Sequence, residues 1–244
     1  MYIKNGGALI MELIDFIKSN REYFSDFFIR NTGNSIAIEE SDLTHVSVTN
    51  MENHVKAMNY LLDLEDNSNL PNISRVGQAM DEIKKIDKII TNGEVEDYRK
   101  RDVMINGTDF LPPPAWQVRT GMRQILDNYF YNTEEVIRKI AIYHIEFERL
   151  HPFEDGNGRT GRLFVNYELI RNNIPPVVIN LEDKEEYCEF LRSRNVDGLT
   201  LLLNERSNQE REILEKYGYV FKAKPSTPTG NGDKSDRDDD DVDR

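Results

Sequence analysis

Apolar positions recur at three- and four-residue spacing over most of the chain, the signature of helices with one buried face. Leu9, Ile10, Leu13, Ile14 and Ile17 share one such stripe, and Phe24, Phe27 and Phe28 follow. Asn31-Thr32-Gly33 has the composition of a turn. Ser35-Ile36-Ala37-Ile38-Glu39 then predicts one or two helical turns, with Ser35 and Glu39 on the same face. Ser41 and Asp42 are cap-type residues ahead of a helix carrying Met51, Val55, Met58 and Leu62. Val76, Met80, Ile83, Ile86 and Ile90 predict another, ended by Thr91-Asn92-Gly93. Further helices are expected through Val118 to Leu126, Val136 to Phe147 and Leu163 to Ile170, then from Leu181 and over Glu205 to Tyr217.

Between residues 95 and 114 the pattern changes. Val103, Met104 and Ile105 form a β-type run, Asn106-Gly107 is a hairpin turn signal, and Phe110 and Leu111 lie beyond it. Pro112 to Pro114 stop the strand. The expected fold class is all-α with one small β-hairpin, whose edge is open to a partner strand.

Composition narrows the function. The 244 residues carry 44 Asp and Glu against 31 Lys and Arg, a formal net charge of −13. That balance disfavours nucleic-acid binding, which needs a basic surface. Residues 223–244 hold almost nothing to bury and read as a disordered acidic tail. Cys188 is the only cysteine, so the chain has no internal disulfide. No apolar run approaches a membrane span and no secretory leader is legible, so a cytoplasmic protein without membrane attachment is expected.

The richest chemistry lies in His151-Pro-Phe-Glu-Asp-Gly-Asn-Gly-Arg-Thr-Gly-Arg162, between two apolar helix patterns. The start of a helix carries unsatisfied N–H groups and the positive end of the dipole. Gly156 and Gly158 allow positive φ, so successive N–H groups can form a phosphate-binding nest. Asn157 offers an amide donor. Arg159 and Arg162, three apart, can hold further phosphate oxygens. Asp155 is the kind of lone carboxylate that holds Mg²⁺ beside phosphates. His151 suits a general base. The natural ligand is a nucleoside triphosphate with Mg²⁺, attacked by a hydroxyl. The chain lacks the Walker pattern, so this is not a P-loop.

With every fixed position met, this segment resembles the Fic family motif HPFx[D/E]GNGRxxR. Tyr143 to Leu150 is similar to the family's preceding helix, residues 103–111 to its flap, and Glu186 to Leu191 with Asn195 to its adenosine-contacting segment. The resemblance implies a mainly helical Fic fold and transfer of AMP from ATP to a Ser, Thr or Tyr hydroxyl of a target protein, the chain itself included. His151 would be the base and Asp155 the Mg²⁺ ligand. Nucleotide contacts would come from Asp155, Gly156, Asn157, Gly158, Arg159, Thr160, Gly161 and Arg162, and from Tyr187, Cys188 and Asn195 around adenosine. Val103, Met104, Ile105 and Asn106 would dock the target by strand addition.

Ser35-x-x-x-Glu39 resembles the family's inhibitory motif [S/T]xxxE[G/N], with Glu40 departing at the last position. That resemblance implies Glu39 pairing with Arg162 and displacing the γ-phosphate. The expected division is a docking helix region over 1–30, the inhibitory helix and its successor over 31–66, a Fic core over 67–222, and the tail over 223–244. Removal of AMP, transfer of another phosphate-linked group, and a non-enzymatic interaction module are the rival readings. The target and a homo-oligomeric state are left open.

Overall fold

The computed structural model describes residues 3–5, 8–40, 47–64, 72–105, 108 and 110–221. A short antiparallel pair, β1 (Ile3–Asn5) and β2 (Ala8–Ile10), opens the chain with Ile3 opposite Ile10. Nine helices follow among the described residues: α1 (Leu13–Ser19), α2 (Arg21–Glu40), α3 (Val48–Leu62), α4 (Asn72–Ile90), α5 (Val118–Tyr131), α6 (Val136–Leu150), α7 (Asn157–Arg171), α8 (Lys184–Ser193) and α9 (Val196–Lys216). The mainly helical class is as the periodicity predicts.

The helices pack around α7. Helices α1, α2, α3, α4 and α6 all lie against it, while α8 and α9 pack on α6. All 14 residues from Asn157 to Ile170 are buried. Leu163, Phe164, Val165, Leu169 and Ile170 supply the apolar part of that burial. Tyr143, Phe147 and Phe153 join it from α6 and the loop beyond, Tyr143 and Phe164 with ring centroids 4.8 Å apart.

Three expectations are corrected. Leu9 and Ile10 belong to β2, and the helix begins only at Leu13. Residues 31–39 are neither a turn nor a short separate helix, because α2 runs unbroken for 20 residues through them. A domain boundary at residue 30 would therefore cut a helix. Asn31, Thr32 and Asn34 read as turn residues because their side chains compete with backbone hydrogen bonds. Here those side chains have tertiary partners, and Asn34 also donates to the Arg30 carbonyl of its own helix at 2.9 Å. Asn31 donates to the Val177 carbonyl at 3.1 Å, Thr32 meets His54 Nδ1 at 3.1 Å, and Asn34 accepts from the Leu181 N–H at 2.9 Å. With Tyr23, Phe27, Ile36 and Ala37 buried on the same helix, tertiary anchoring overrides local propensity. Third, the last helix starts at Val196, not near Glu205.

Val103, Met104 and Ile105 form no strand, and the only ladder among the described residues is β1–β2. The Thr108 N–H and hydroxyl both donate to the Ile105 carbonyl, at 3.3 and 3.0 Å. Asn106 and Gly107 lie outside the described residues, as do the cap candidates Ser41 and Asp42 and the tail 223–244. No helix among the described residues is long and apolar enough to cross a membrane.

A fold centred on α7 predicts that Leu163→Ala, at a fully buried position, lowers unfolding stability by about 2–5 kcal/mol. Urea denaturation measures this, and a loss below about 1 kcal/mol would contradict the packing described.

Candidate functional site

The loop from His151 to Gly156 joins α6 to α7. His151 closes α6 in the left-handed region at φ 50°, and Gly156 precedes α7 at φ 82°. Gly156 therefore has the positive φ anticipated for it. Gly158 does not, since it sits inside the first turn of α7. Its lack of a side chain serves another end: a Cβ there would overlap the Glu39 carboxylate and lie 2.9 Å from Arg162 Nη1. Gly161 likewise leaves room for Glu148, whose Oε1 would be 2.6 Å from a Cβ.

Arg162 is buried and engaged on one side by α2. Its Nε donates to Ser35 Oγ at 2.9 Å, and Nη2 donates to the Ser35 carbonyl and to Glu39 Oε1, each at 2.7 Å. Burial pulls the guanidinium pKa down, but Tyr187, Glu39 and Glu148 more than offset this and raise it. Beside it lies a second, largely internal group. His144 Nε2 is 2.7 Å from the Tyr187 hydroxyl and 4.0 Å from the Glu148 carboxylate. Burial pushes Glu148 up to about 8 and His144 down to about 3, so both are neutral at pH 7.

Asp155 and Arg159 pair with each other at 3.0 Å, the carboxylate largely exposed and the guanidinium buried. Asn157 is committed to the loop itself: its amide donates to the Phe153 carbonyl at 3.0 Å and its Oδ1 accepts from the Phe153 N–H at 2.9 Å. The expected free amide donor is thus a loop brace. Thr160 donates to Asp87 Oδ1 at 2.9 Å beneath Gly156. His151 Nδ1 lies 3.4 Å from the Glu148 carbonyl. Burial lowers its pKa below the ordinary imidazole value, opposed by that carbonyl, Glu39 and Asp155 and assisted by Arg99. A neutral imidazole at pH 7 is the form a general base requires.

The expected adenosine-contacting residues are dispersed in character. Tyr187 is buried against His144, Cys188 is exposed, and Asn195 caps α9 by accepting from the Gly198 N–H at 2.8 Å. Among the described residues no three acidic, His or Cys side chains group as a metal site. A single exposed carboxylate still fits Mg²⁺, which keeps most of its waters and takes phosphate oxygens.

Sequence reasoning missed Asp87, His144, Glu148 and Arg99. The first three are ordinary helix positions whose partners come from other helices. Arg99 stands in a basic run that reads as solvated surface, yet its side chain is fully buried.

The start of α7 thus carries Arg159 and Arg162, with the His151 imidazole on the loop before it. Residues 77–169 match the Fic/DOC family model. It is 36% identical to a probable protein adenylyltransferase of Aquifex aeolicus over 130 residues, covering 50% of this chain and 39% of that protein. It is 28% identical to protein adenylyltransferase fic-1 of Caenorhabditis elegans over 174 residues, covering 66% of this chain and 34% of the relative. The chain thus corresponds to a minor part of the length of these curated relatives. Its fold resembles a Fic domain containing signaling protein from Bacteroides thetaiotaomicron, with TM-score 0.66 and 19% identity over 86% of this chain and all of that one.

Asp87 yields a test. Burial raises its carboxyl to about 8, so it is protonated in the fold at pH 7, whereas in the unfolded chain it ionises near pH 4. Its stability contribution is full below about pH 4 and is lost as pH rises toward 8, by about 1.4 kcal/mol per unit at most. Asp87→Asn removes that dependence. The variant should gain stability relative to the parent between pH 5 and pH 8 in urea unfolding, and a constant difference would contradict a buried neutral carboxyl.

Proposed function

We propose that the chain is a protein adenylyltransferase that moves AMP from ATP to a hydroxyl of a target protein and is held inactive by Glu39. The observation that carries this reading is the Arg162 guanidinium, fixed at the start of α7 and taken by Glu39 at 2.7 Å. Its position, three residues beyond Arg159 and beside the glycine turn, suits the distal phosphate of a triphosphate. The adenylyltransferase relatives support ATP as the donor.

In the reaction, His151 accepts the proton as the target hydroxyl oxygen attacks the α-phosphorus. A P–O bond to the target forms, the bond to the bridging oxygen breaks, and diphosphate leaves. The N–H groups after Gly156 and the Arg159 and Arg162 guanidiniums hold the phosphates in line. Mg²⁺ bound at Asp155 would supply neutralisation of phosphate charge. Tyr187, Cys188 and Asn195 are assigned to the adenosine end, and residues 103–106 to target docking by strand addition. With Glu39 in place, the γ-phosphate and the carboxylate compete for one guanidinium, and ATP is seated unproductively. The C-terminal half of α2, with Ser35 and Glu39, thus acts as the inhibitory element on the core of 67–222.

Glu39→Gly should raise AMP incorporation from α-labelled ATP into lysate proteins at least about tenfold, and adding His151→Ala should lower it by about 10²–10⁴. Equal labelling by the parent and Glu39→Gly would remove the inhibitory claim. Loss of the Glu39 carboxylate also removes one influence that raises the His151 pKa. The acid limb of the Glu39→Gly rate should therefore lie below the ordinary imidazole value of about 6.5. A limb centred above pH 7 would argue against neutral His151 as the base.

A further inference from the structure

We propose that Arg99 is a positioning residue that locks the His151 backbone and the target-docking segment into one unit; this rests on the adenylyl-transfer reading above. A single buried guanidinium serves both. Its Nε donates to the His151 carbonyl at 2.7 Å, and Nη2 reaches the Leu150 carbonyl at 3.3 Å. On the other side Nη1 donates to the Arg101 carbonyl at 2.9 Å and Nη2 to the Pro113 carbonyl. Arg101 and Pro113 bracket the segment assigned to docking. The Arg99 N–H donates to the Pro152 carbonyl at 2.9 Å, so backbone and side chain both grip the histidine loop.

Two features make this more than packing. His151 is a non-glycine residue at φ 50°, a conformation that persists only where surrounding structure over-determines it. Arg99 holds the carbonyls on both sides of that residue's α-carbon, those of Leu150 and His151. Asp102, 3.9 Å from Arg99 Nη1, accepts the Ala115 N–H at 2.7 Å and ties the two ends of the docking segment together. A target strand placed on that segment would be indexed to the imidazole through one side chain. Arg99 touches neither substrate nor reacting atoms; it acts through His151.

The test uses the full chain in the Glu39→Gly background. Arg99→Gln is expected to bind ATP within about twofold of Glu39→Gly and to transfer AMP to lysate proteins at least tenfold more slowly, with KM for ATP unchanged. Arg99→Lys, which keeps the charge but not the fork, should recover only part of the rate. Histidine-selective NMR follows His151 without a target, its resonance assigned by loss in His151→Ala. The groups facing that imidazole are Arg99, Glu39 from α2, Asp155 and the Glu148 carbonyl. Removing the Arg99 charge should move its titration midpoint upward. Transfer within twofold of Glu39→Gly, or an unmoved His151 midpoint, overturns the proposal. If Glu39→Gly itself transfers no AMP, the functional reading fails, and the NMR midpoint alone decides the role of Arg99. If Arg99→Gln does not fold, Asp102→Ala at an exposed position carries the test: a lower turnover number at constant KM for ATP supports the indexing role, and an unchanged one overturns it.

Discussion

A guanidinium cannot give up its charge, so burying Arg162 obliges the structure to surround it with acceptors. Ser35 and Glu39 answer it from α2, and Tyr187 and Glu148 lie on the other side. Much of the domain follows from that requirement. α2 must reach the start of α7, Gly158 must lack a side chain for the Glu39 carboxylate to approach, and Gly161 must lack one so that Glu148 can sit below. Only the arginine of this pair is buried, the Glu39 side chain being 41% exposed, and removing the carboxylate leaves a buried guanidinium short of an acceptor. Arg162 would therefore accept an anion that replaces Glu39, which is the role the proposed function gives to a terminal phosphate.

The same logic extends along α7, where polar residues are buried as completely as apolar ones. Asn157 is satisfied by the Phe153 backbone, Thr160 by Asp87, Asn166 by the Val177 backbone and Glu168 by Tyr129 at 2.6 Å. Each tie goes to a different loop or helix. The central helix thus fixes the loop before it, helices α4 and α5, and the segment after it, through specific hydrogen bonds as well as packing. A site built from such a helix is rigid on the α7 side, and what remains adjustable is what approaches from α2.

Helices with clean three- and four-residue periodicity were legible because one face alone was buried, as in α4, α5 and α6. The loop chemistry was legible because His151, Asp155, Gly156 and the two arginines lie within one short segment. Helix α2 was not, since its polar residues anchor to α3 and to the chain after α7, distant in sequence. The same holds for Arg99. Its partners are carbonyls at 101, 113, 150 and 151, and a carbonyl leaves no residue-type signal. Asp87 and Glu148 read as surface carboxylates until neighbouring helices close over them.

The placement of Glu39 bears on how the proposed inhibition would be relieved. It lies in the last turn of α2, which carries Glu39 and Glu40 and no basic residue. Carboxylates there oppose the negative end of the helix dipole, so without Arg162 this turn is the weakest part of the helix. The opposite end is held firmly: Glu210 of α9 accepts from Tyr23 at 2.9 Å and from Arg30 at 2.8 Å, almost out of contact with water. Asn31 and Thr32 add anchors midway. Opening the final turn leaves the Tyr23, Arg30, Asn31 and Thr32 anchors in place, while undocking α2 breaks all of them. If Glu39 inhibits as proposed, fraying of this turn would free Arg162 while the rest of the helix stays in place to bring the carboxylate back.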